Sequence, residues 1–282
     1  GSVGRFVTLH STALAFCILV TTIGTLYPEV LRRATALMTD AVFDALDWFY
    51  IAIVSGFLLI AIWLASSRYG ELKLGRDEDE PEFTLTSWVA MLFAAGMGSG
   101  LLFWGVAEPM IHFSTPPTGE PATAEAARQA MIYTNFHWGL HAWAIYATAA
   151  LVLAYFGYRH GTPSLPGSPI RAAFEGWWVE PVAKLSDWIA VVAVVFGVAG
   201  TIGMGVMQLQ SGMGVAVGID PTSQPVGFAI LGCLFVSYML SATTSLDKGI
   251  RILSNLNMSV ALGMLAFALL VGPTGFLSRL AV

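Results

Sequence analysis

The residues with the clearest chemical potential lie at positions 136–146 of a long apolar segment, where Trp138, Trp143 and Tyr146 carry amphipathic rings. On one continuous helix, which advances about 100° per residue, Tyr146 falls about 80° and Trp143 about 140° from Trp138. The three rings would then share one helix face. They could be ordinary membrane-interface or packing aromatics. Alternatively, they could form a box that holds a quaternary ammonium group by cation–π attraction, without needing a carboxylate.

Two histidines, His137 and His141, lie on a different face of that helix. Their i, i+4 spacing is typical of metal ligands on a helix. A metal ion needs further ligands, however, and neither an HExxH pattern nor a nearby acid supplies them. We therefore expect these histidines to make hydrogen bonds between helices rather than to bind a metal.

A second candidate is the glycine-rich segment 94–105, in which Gly96, Gly98 and Gly100 alternate with other residues. Each glycine costs about 1 kcal/mol relative to alanine in a helix interior. The pair Gly96 and Gly100 could serve close helix packing as a GxxxG motif. Alternatively, the helix is unwound here and its free backbone groups bind an ion or ligand, as in the broken helices of transporters. A phosphate loop is excluded, because no Lys-Ser or Lys-Thr follows the glycines.

The elements that must position these residues are membrane helices. The chain is 56% hydrophobic and only 11% charged, with a mean hydropathy of +0.72, whereas soluble domains carry about 25% charged residues. No acid, lysine or arginine lies at the centre of an apolar span, and Glu108 and Asp187 lie at span edges. Because a bilayer core needs about 20 apolar residues per helix, we predict seven spans: 7–26, 48–66, 87–107, 131–156, 187–210, 224–242 and 252–271.

The charged residues predict the orientation of these spans. Most of the 13 lysines and arginines fall in the N-terminus and alternate loops, so the positive-inside rule places the N-terminus in the cytoplasm. The acidic run 76–82 is predicted to be a solvated loop. Seven is an odd number of spans, and the last one has no polar tail, so we expect an incomplete chain. The net charge of −5 gives no nucleic-acid signal.

Four stretches resemble the betaine/carnitine/choline transporter family: 96–109, 136–146, 187–212 and 246–250. The resemblance implies an all-α integral membrane protein with the LeuT-type transporter fold. In such a twelve-helix protein, two extra N-terminal helices precede two inverted five-helix repeats. By this mapping, residues 1–86 hold the two N-terminal helices and their loops. Residues 87–282 then hold the first repeat, and the second repeat is missing.

The family resemblance also implies roles for individual residues. Trp138, Trp143 and Tyr146 would form the aromatic box for a trimethylammonium group. Backbone carbonyls of Ala94 and Met97 would supply half of a sodium site. The residues expected beside the substrate are Gly96, Met97, Gly98, Ser99 and Gly100.

Two departures from the family pattern affect the expected specificity. Ser99 stands where the family usually has a bulky aliphatic residue, which leaves the exact substrate open. Val194 and Val198 stand where sodium-coupled members can carry threonines. These valines lack the hydroxyl ligands of a second sodium site, so coupling to Na⁺ or to H⁺ remains open.

Together these features predict a symporter, not an enzyme, for quaternary ammonium or betaine-type zwitterionic osmolytes such as glycine betaine, choline or carnitine. Its expected location is the plasma (inner) membrane, with many spans in the lipid bilayer. We expect no cofactor beyond the coupling ion and no nucleic-acid partner, and we leave a homo-oligomer open. The alternative is an osmosensor or receptor that binds the same ligands without moving them.

Overall fold

The computed structural model describes residues 2–96, 98–243 and 249–275, and the regular structure of these residues is helical. A 3-10 turn at Arg68–Glu71 and a π-helical turn at Tyr155–Arg159 accompany the α-helices. In chain order the α-helices are α1 (Ser2–Leu26), α2 (Pro28–Ser66), α3 (Leu85–Gly96), α4 (Ser99–Ser114), α5 (Ala124–His137), α6 (Leu140–Ala154), α7 (Gly167–Ala173), α8 (Val179–Val217), α9 (Gln224–Thr243) and α10 (Gly249–Val271).

Among the residues that the structure describes, six helical segments are long and apolar enough to cross a bilayer, or seven if the bent pair α3 and α4 forms one span. The α5 and α6 segments together make one of the six. The prediction of about seven membrane helices is therefore confirmed, and the protein is a multi-pass membrane protein. The family-like stretch 246–250 is described only from Gly249 onward, so most of it lies outside the described residues.

Helix α2 is much longer than the predicted span 48–66, because it begins at Pro28. Proline is well suited to the first turn of a helix, since its missing N–H has no partner there. Residues 29–47 contain no further proline or glycine, so nothing in this amphipathic stretch ends the helix. Glu29 pairs with Arg32 and Arg33 at 2.7 and 2.8 Å near its start.

The chain divides into two compact units, Gly1–Asp79 with Glu108–Ala199 and Glu80–Ala107 with Gly200–Val282. Within the first unit, α2 packs against α1 and α6, and α5 adjoins α6. Within the second unit, α10 packs against α3 and α9. Each unit is thus a set of packed helices.

Small side chains make up most of the buried apolar positions. Alanines dominate the buried hydrophobic positions of the described residues, with Ala13, Ala126, Ala144 and Ala183 each at most 3% exposed. Large aliphatic and aromatic side chains instead cover the outside of the helices. This distribution suits a bilayer, where helices associate through close backbone approach while lipid surrounds the large apolar side chains.

The predicted solvated loop at 76–82 is exposed, and an arginine from the π-helical turn binds both this loop and the residues just before it. Arg159 Nη1 donates to the carbonyl oxygens of Lys73 and Gly75 at 3.1 and 2.9 Å. The same nitrogen lies 2.9 Å from Asp77 Oδ1. One guanidinium therefore satisfies several acceptors in a segment that is not helical.

A buried carboxylate fastens α7 to α8. Asp187 is 4% exposed, and it accepts hydrogen bonds from the Gly167 backbone N–H at 2.6 Å and from Arg171 Nη1 at 2.9 Å. Arg171 Nε also donates to Glu180 Oε2 at 2.9 Å. Burial opposes the charge of Arg171, but its bonds to Glu180 and Asp187 outweigh burial and raise its pKa. A charge removed from water in this way is tolerated because it is paired and hydrogen-bonded.

Gly167→Ala is expected to destabilise this junction. A Cβ there would overlap the Ala183 carbonyl oxygen and would lie 2.7 Å from Arg171 Nη1 and from Asp187 Oδ1. Overpacking costs about 1–3 kcal/mol, so the detergent-purified variant should unfold at a lower temperature than the wild type. The matched control is Gly157→Ala, whose Cβ would make only ordinary contacts at 3.7 and 3.9 Å. Equal unfolding temperatures for the two variants would contradict this account.

Candidate functional site

The aromatic stretch contains a helix break that the sequence analysis did not predict. Helix α5 ends at His137, Trp138 follows with φ −102° and ψ 5°, and Gly139 is extended with φ −88° and ψ −157° before α6 begins. A Cβ at position 139 would lie 2.7 Å from the Asn135 carbonyl oxygen. Glycine is therefore the residue that lets the chain turn this tightly against the end of α5.

The assumption of one continuous helix through residues 131–156 is therefore wrong. Trp138 precedes the break, whereas Trp143 and Tyr146 lie on α6, so the helical angles that placed all three on one face do not apply. A lone glycine in an apolar helix is a weak signal, because helices tolerate it at about 1 kcal/mol. The pair Trp138-Gly139 was nevertheless the local feature that could have indicated the break.

The structure connects the three aromatic residues in a different way. The Trp143 and Tyr146 rings lie 5.7 Å apart between centroids, with their planes at 45°. Trp143 Nε1 donates across the break to the Trp138 carbonyl oxygen at 3.1 Å. The Trp143 ring is half-buried and that of Tyr146 is 68% exposed. One hydrogen bond thus fixes the N–H edge of Trp143, and the Trp143 ring lies against the Tyr146 ring.

Glu108 on α4 contacts the residues on the α5 side of the break. Its Oε2 accepts a hydrogen bond from Trp138 Nε1 at 2.7 Å. Its Oε1 contacts His137 Nδ1 and lies 3.5 Å from His112 Nε2. The Glu108 side chain is only 13% exposed. One carboxylate therefore ties α4 to the end of α5 and sets the direction of the Trp138 indole.

The expectation that no acid lies near the histidines is wrong, because Glu108 reaches His137 from another helix. The predicted hydrogen bond between helices is confirmed for His137. His141 has a different environment, with its ring 4.9 Å from that of Phe136. The spacing of Glu108 and His112, four residues apart on α4, could have indicated that these two side chains share a helix face, but not that His137 joins them.

The glycine segment interrupts the third predicted span. Helix α3 ends at Gly96, Gly98 lies in a bend, and α4 begins at Ser99. Within the described residues, a Cβ at Gly98 would meet no atom within 4 Å, and one at Gly100 would meet only the Met204 methyl at 3.9 Å. In the part of the chain that the structure describes, these two glycines are therefore not in tight packing contact, and Gly98 lies in the interruption itself.

The predicted site residues fall into two groups. Trp138, Trp143 and Tyr146 lie in the first compact unit, and Ala94, Gly96, Gly98 and Gly100 lie in the second. Met97 lies outside the described residues, so its carbonyl is not placed. Ser99 begins α4. The roles of all these residues in binding remain predictions.

Interrupted membrane helices such as these occur in secondary transporters. The model of the betaine/carnitine/choline family transporters matches residues 7–282. The chain therefore belongs to this family, as its sequence resemblance indicated.

Named relatives agree with this assignment. The chain is 42% identical over 252 residues to the glycine betaine transporter OpuD of Bacillus subtilis, covering 89% of this chain and 49% of that protein. It is 41% identical over 238 residues to the high-affinity choline transport protein of Escherichia coli, covering 84% of this chain and 35% of that protein. An osmo-dependent choline transporter of Acinetobacter baylyi, BetT2, is 39% identical over 264 residues, covering 93% and 38%.

The chain thus spans about half or less of the length of these relatives. The relatives are transporters and not enzymes, so the prediction that the protein is not an enzyme is confirmed.

Glu108→Ala is expected to destabilise the protein by about 1–3 kcal/mol, because it leaves the half-buried Trp138 N–H without its acceptor. Glu108→Gln keeps one acceptor oxygen and should have a smaller effect. Thermal unfolding followed by tryptophan fluorescence measures the difference. The control is Glu125→Ala, which removes an exposed ion pair with Arg128 and should change little. If Glu108→Ala unfolds like the control, the proposed tie between α4 and α5 is contradicted.

Proposed function

We propose that this chain forms part of a secondary transporter, a symporter, for quaternary ammonium or betaine-type osmolytes such as glycine betaine, choline or carnitine. Membership of the family supports this proposal. The names of the relatives also support it, since they are glycine betaine and choline transporters. Because this chain covers half or less of those proteins, the complete protein is the unit that would carry out transport.

The observation that carries the proposal is the ring pair formed by Trp143 and Tyr146 on α6, 5.7 Å apart between centroids. A trimethylammonium group has no N–H to donate, and it is attracted to aromatic faces within about 6 Å. The Trp143 N–H is already used by the Trp138 carbonyl. Its ring face is therefore held in place before a ligand arrives, which lowers the ordering cost of binding.

Trp138 would complete this wall of the box. The hydrogen bond to Glu108 sets the orientation of its indole ring. The Trp138 ring and the carboxylate that orients it therefore come from different parts of the chain, the end of α5 and α4. The carboxylate itself is engaged by Trp138 and by the two histidines. The proposed recognition of the cation therefore depends on ring faces rather than on pairing with Glu108.

The glycine segment is the proposed second contributor. Glycines at 96, 98 and 100 would let a ligand approach the backbone of the interrupted span, beside Met97 and Ser99. We propose that the carbonyls of Ala94 and Met97 supply half of a sodium site. The side chains of Val194 and Val198 offer no hydroxyl ligand, which keeps proton coupling as the other choice.

The proposed arrangement in the membrane follows the family fold. Residues 1–86 would provide two N-terminal helices, and residues 87–282 would provide the first repeat of a LeuT-type fold. The protein would lie in the plasma membrane. Its N-terminus would be in the cytoplasm, because Lys and Arg concentrate on that side. A homo-oligomer is compatible with this arrangement.

Substitution of Trp143 tests the aromatic box. In the full-length protein, Trp143→Ala should raise the KM for glycine betaine or choline uptake about tenfold or more, since a desolvated cation–π contact contributes about 2 kcal/mol. Trp143→Phe keeps an aromatic face and should have a much smaller effect. Labelled substrate uptake into cells that lack other osmolyte transporters is the measurement.

The control for this experiment is Trp177→Ala, which removes a tryptophan that is 89% exposed and outside the proposed box. The proposal fails if glycine betaine, choline and carnitine all fail to accumulate. It also fails if Trp143→Ala transports like the Trp177→Ala control. Binding of substrate without flux into sealed vesicles would instead identify an osmosensor or receptor.

Replacing external sodium with potassium tests the coupling ion. If the proposed carbonyl site at Ala94 and Met97 binds sodium, initial uptake should fall and should recover as sodium is restored. Initial rates in proteoliposomes with defined ion gradients measure this dependence. Unchanged uptake in potassium, together with a response to an imposed pH gradient, would assign coupling to protons instead.

A further inference from the structure

Three side chains with metal-ligand chemistry converge at the end of α5: Glu108, His112 and His137. One ligand atom from each lies within 4.8 Å of the other two. Glu108 and His112 are four residues apart on α4 and so project from one face of that helix. His137 is the last residue of α5. Two helices therefore build one cluster, which was not visible from the spacing on either helix alone.

The donor atoms of this cluster form a recognised ligand set. His112 Nε2 lies 3.5 Å from Glu108 Oε1, and His137 Nδ1 contacts the same oxygen. Two imidazoles and one carboxylate bind zinc in open sites, at about 2.0–2.2 Å from the ion and with a fourth position left for water. Ligand atoms on one tetrahedral ion stand about 3.3 Å apart. A small retreat of His137 from Glu108 would therefore admit an ion.

The surroundings hold the ligands in place and leave one side open. Trp138 Nε1 donates to Glu108 Oε2 at 2.7 Å, which leaves Oε1 facing the histidines. Such outer hydrogen bonds orient the first ligands of metal sites. The side chains of Glu108 and His112 are 13% and 19% exposed, whereas that of His137 is 49% exposed. The two half-buried ligands are thus positioned in advance, and the exposed histidine gives an ion its entry.

We propose that Glu108, His112 and His137 bind one divalent transition-metal ion of the zinc type, with water in the fourth position. Imidazole ligands favour such ions, whereas Mg²⁺ and Ca²⁺ prefer sites made of oxygen. The bound ion joins α4 to the end of α5 next to Trp138.

Cobalt binding tests this site directly. The full-length protein, purified in detergent without chelators and freed of any polyhistidine tag, is titrated with Co²⁺, whose visible absorption reports its coordination. We expect one saturable site per chain, displaced by Zn²⁺ and unaffected by excess Mg²⁺. His112→Ala and His137→Ala should each weaken binding by more than about tenfold. The control His141→Ala removes a neighbouring histidine that lies against Phe136, and it should bind Co²⁺ like the wild type.

Two results would overturn the site: wild-type protein with no saturable Co²⁺ absorption, or both histidine variants binding as tightly as His141→Ala. The first result needs no variant, so misfolding of a variant does not decide the outcome. Metal binding and transport also fail separately. Protein that takes up glycine betaine but binds no Co²⁺ loses only the metal site, and protein that binds Co²⁺ but transports nothing loses only the proposed function.

Discussion

Backbone hydrogen bonds control where this membrane chain can be interrupted. In the hydrocarbon core no water completes the bonds of a broken helix, so neighbouring protein groups must do so. At the α5–α6 break, the Trp138 N–H bonds to the Thr134 carbonyl at 3.1 Å and the Gly139 N–H to that of Phe136 at 3.3 Å. The Trp138 carbonyl accepts from the Trp143 indole. The aromatic side chain at this break therefore has a structural task before any ligand is considered.

Two carboxylates, the buried Asp187 and the half-buried Glu108, are neutralised in different ways. Asp187 is paired with an arginine and a backbone N–H, which makes it part of a fixed junction between α7 and α8. Glu108 is instead surrounded by two histidines and an indole N–H. Arginine carries a permanent charge, so the negative charge of Asp187 is matched by a fixed positive one. The two imidazoles around Glu108 are instead the ligands of the proposed metal site.

The sequence predicted those features that depend on local composition. Apolar length identified the membrane helices, and the closely spaced glycines 96, 98 and 100 indicated the interruption between α3 and α4. The break at Gly139 was missed because a single glycine has too small a helix penalty to outweigh a long apolar run. The Glu108 cluster was missed because Glu108 and His137 are 29 residues apart in the chain and meet only through helix packing. Tertiary contacts of this kind leave no periodic pattern in one sequence.

The length of α2 has a mechanical consequence. Its 39 residues make a helix about 58 Å long at 1.5 Å per residue, roughly twice the thickness of the hydrocarbon core. The charged end at Glu29, Arg32 and Arg33 therefore stands well beyond the lipid tails, joined to the apolar half without a hinge residue. In a rod of this length, a tilt of about 10° within the bilayer displaces the outer end by several ångströms. The length of α2 thus amplifies small changes in helix tilt at its charged end.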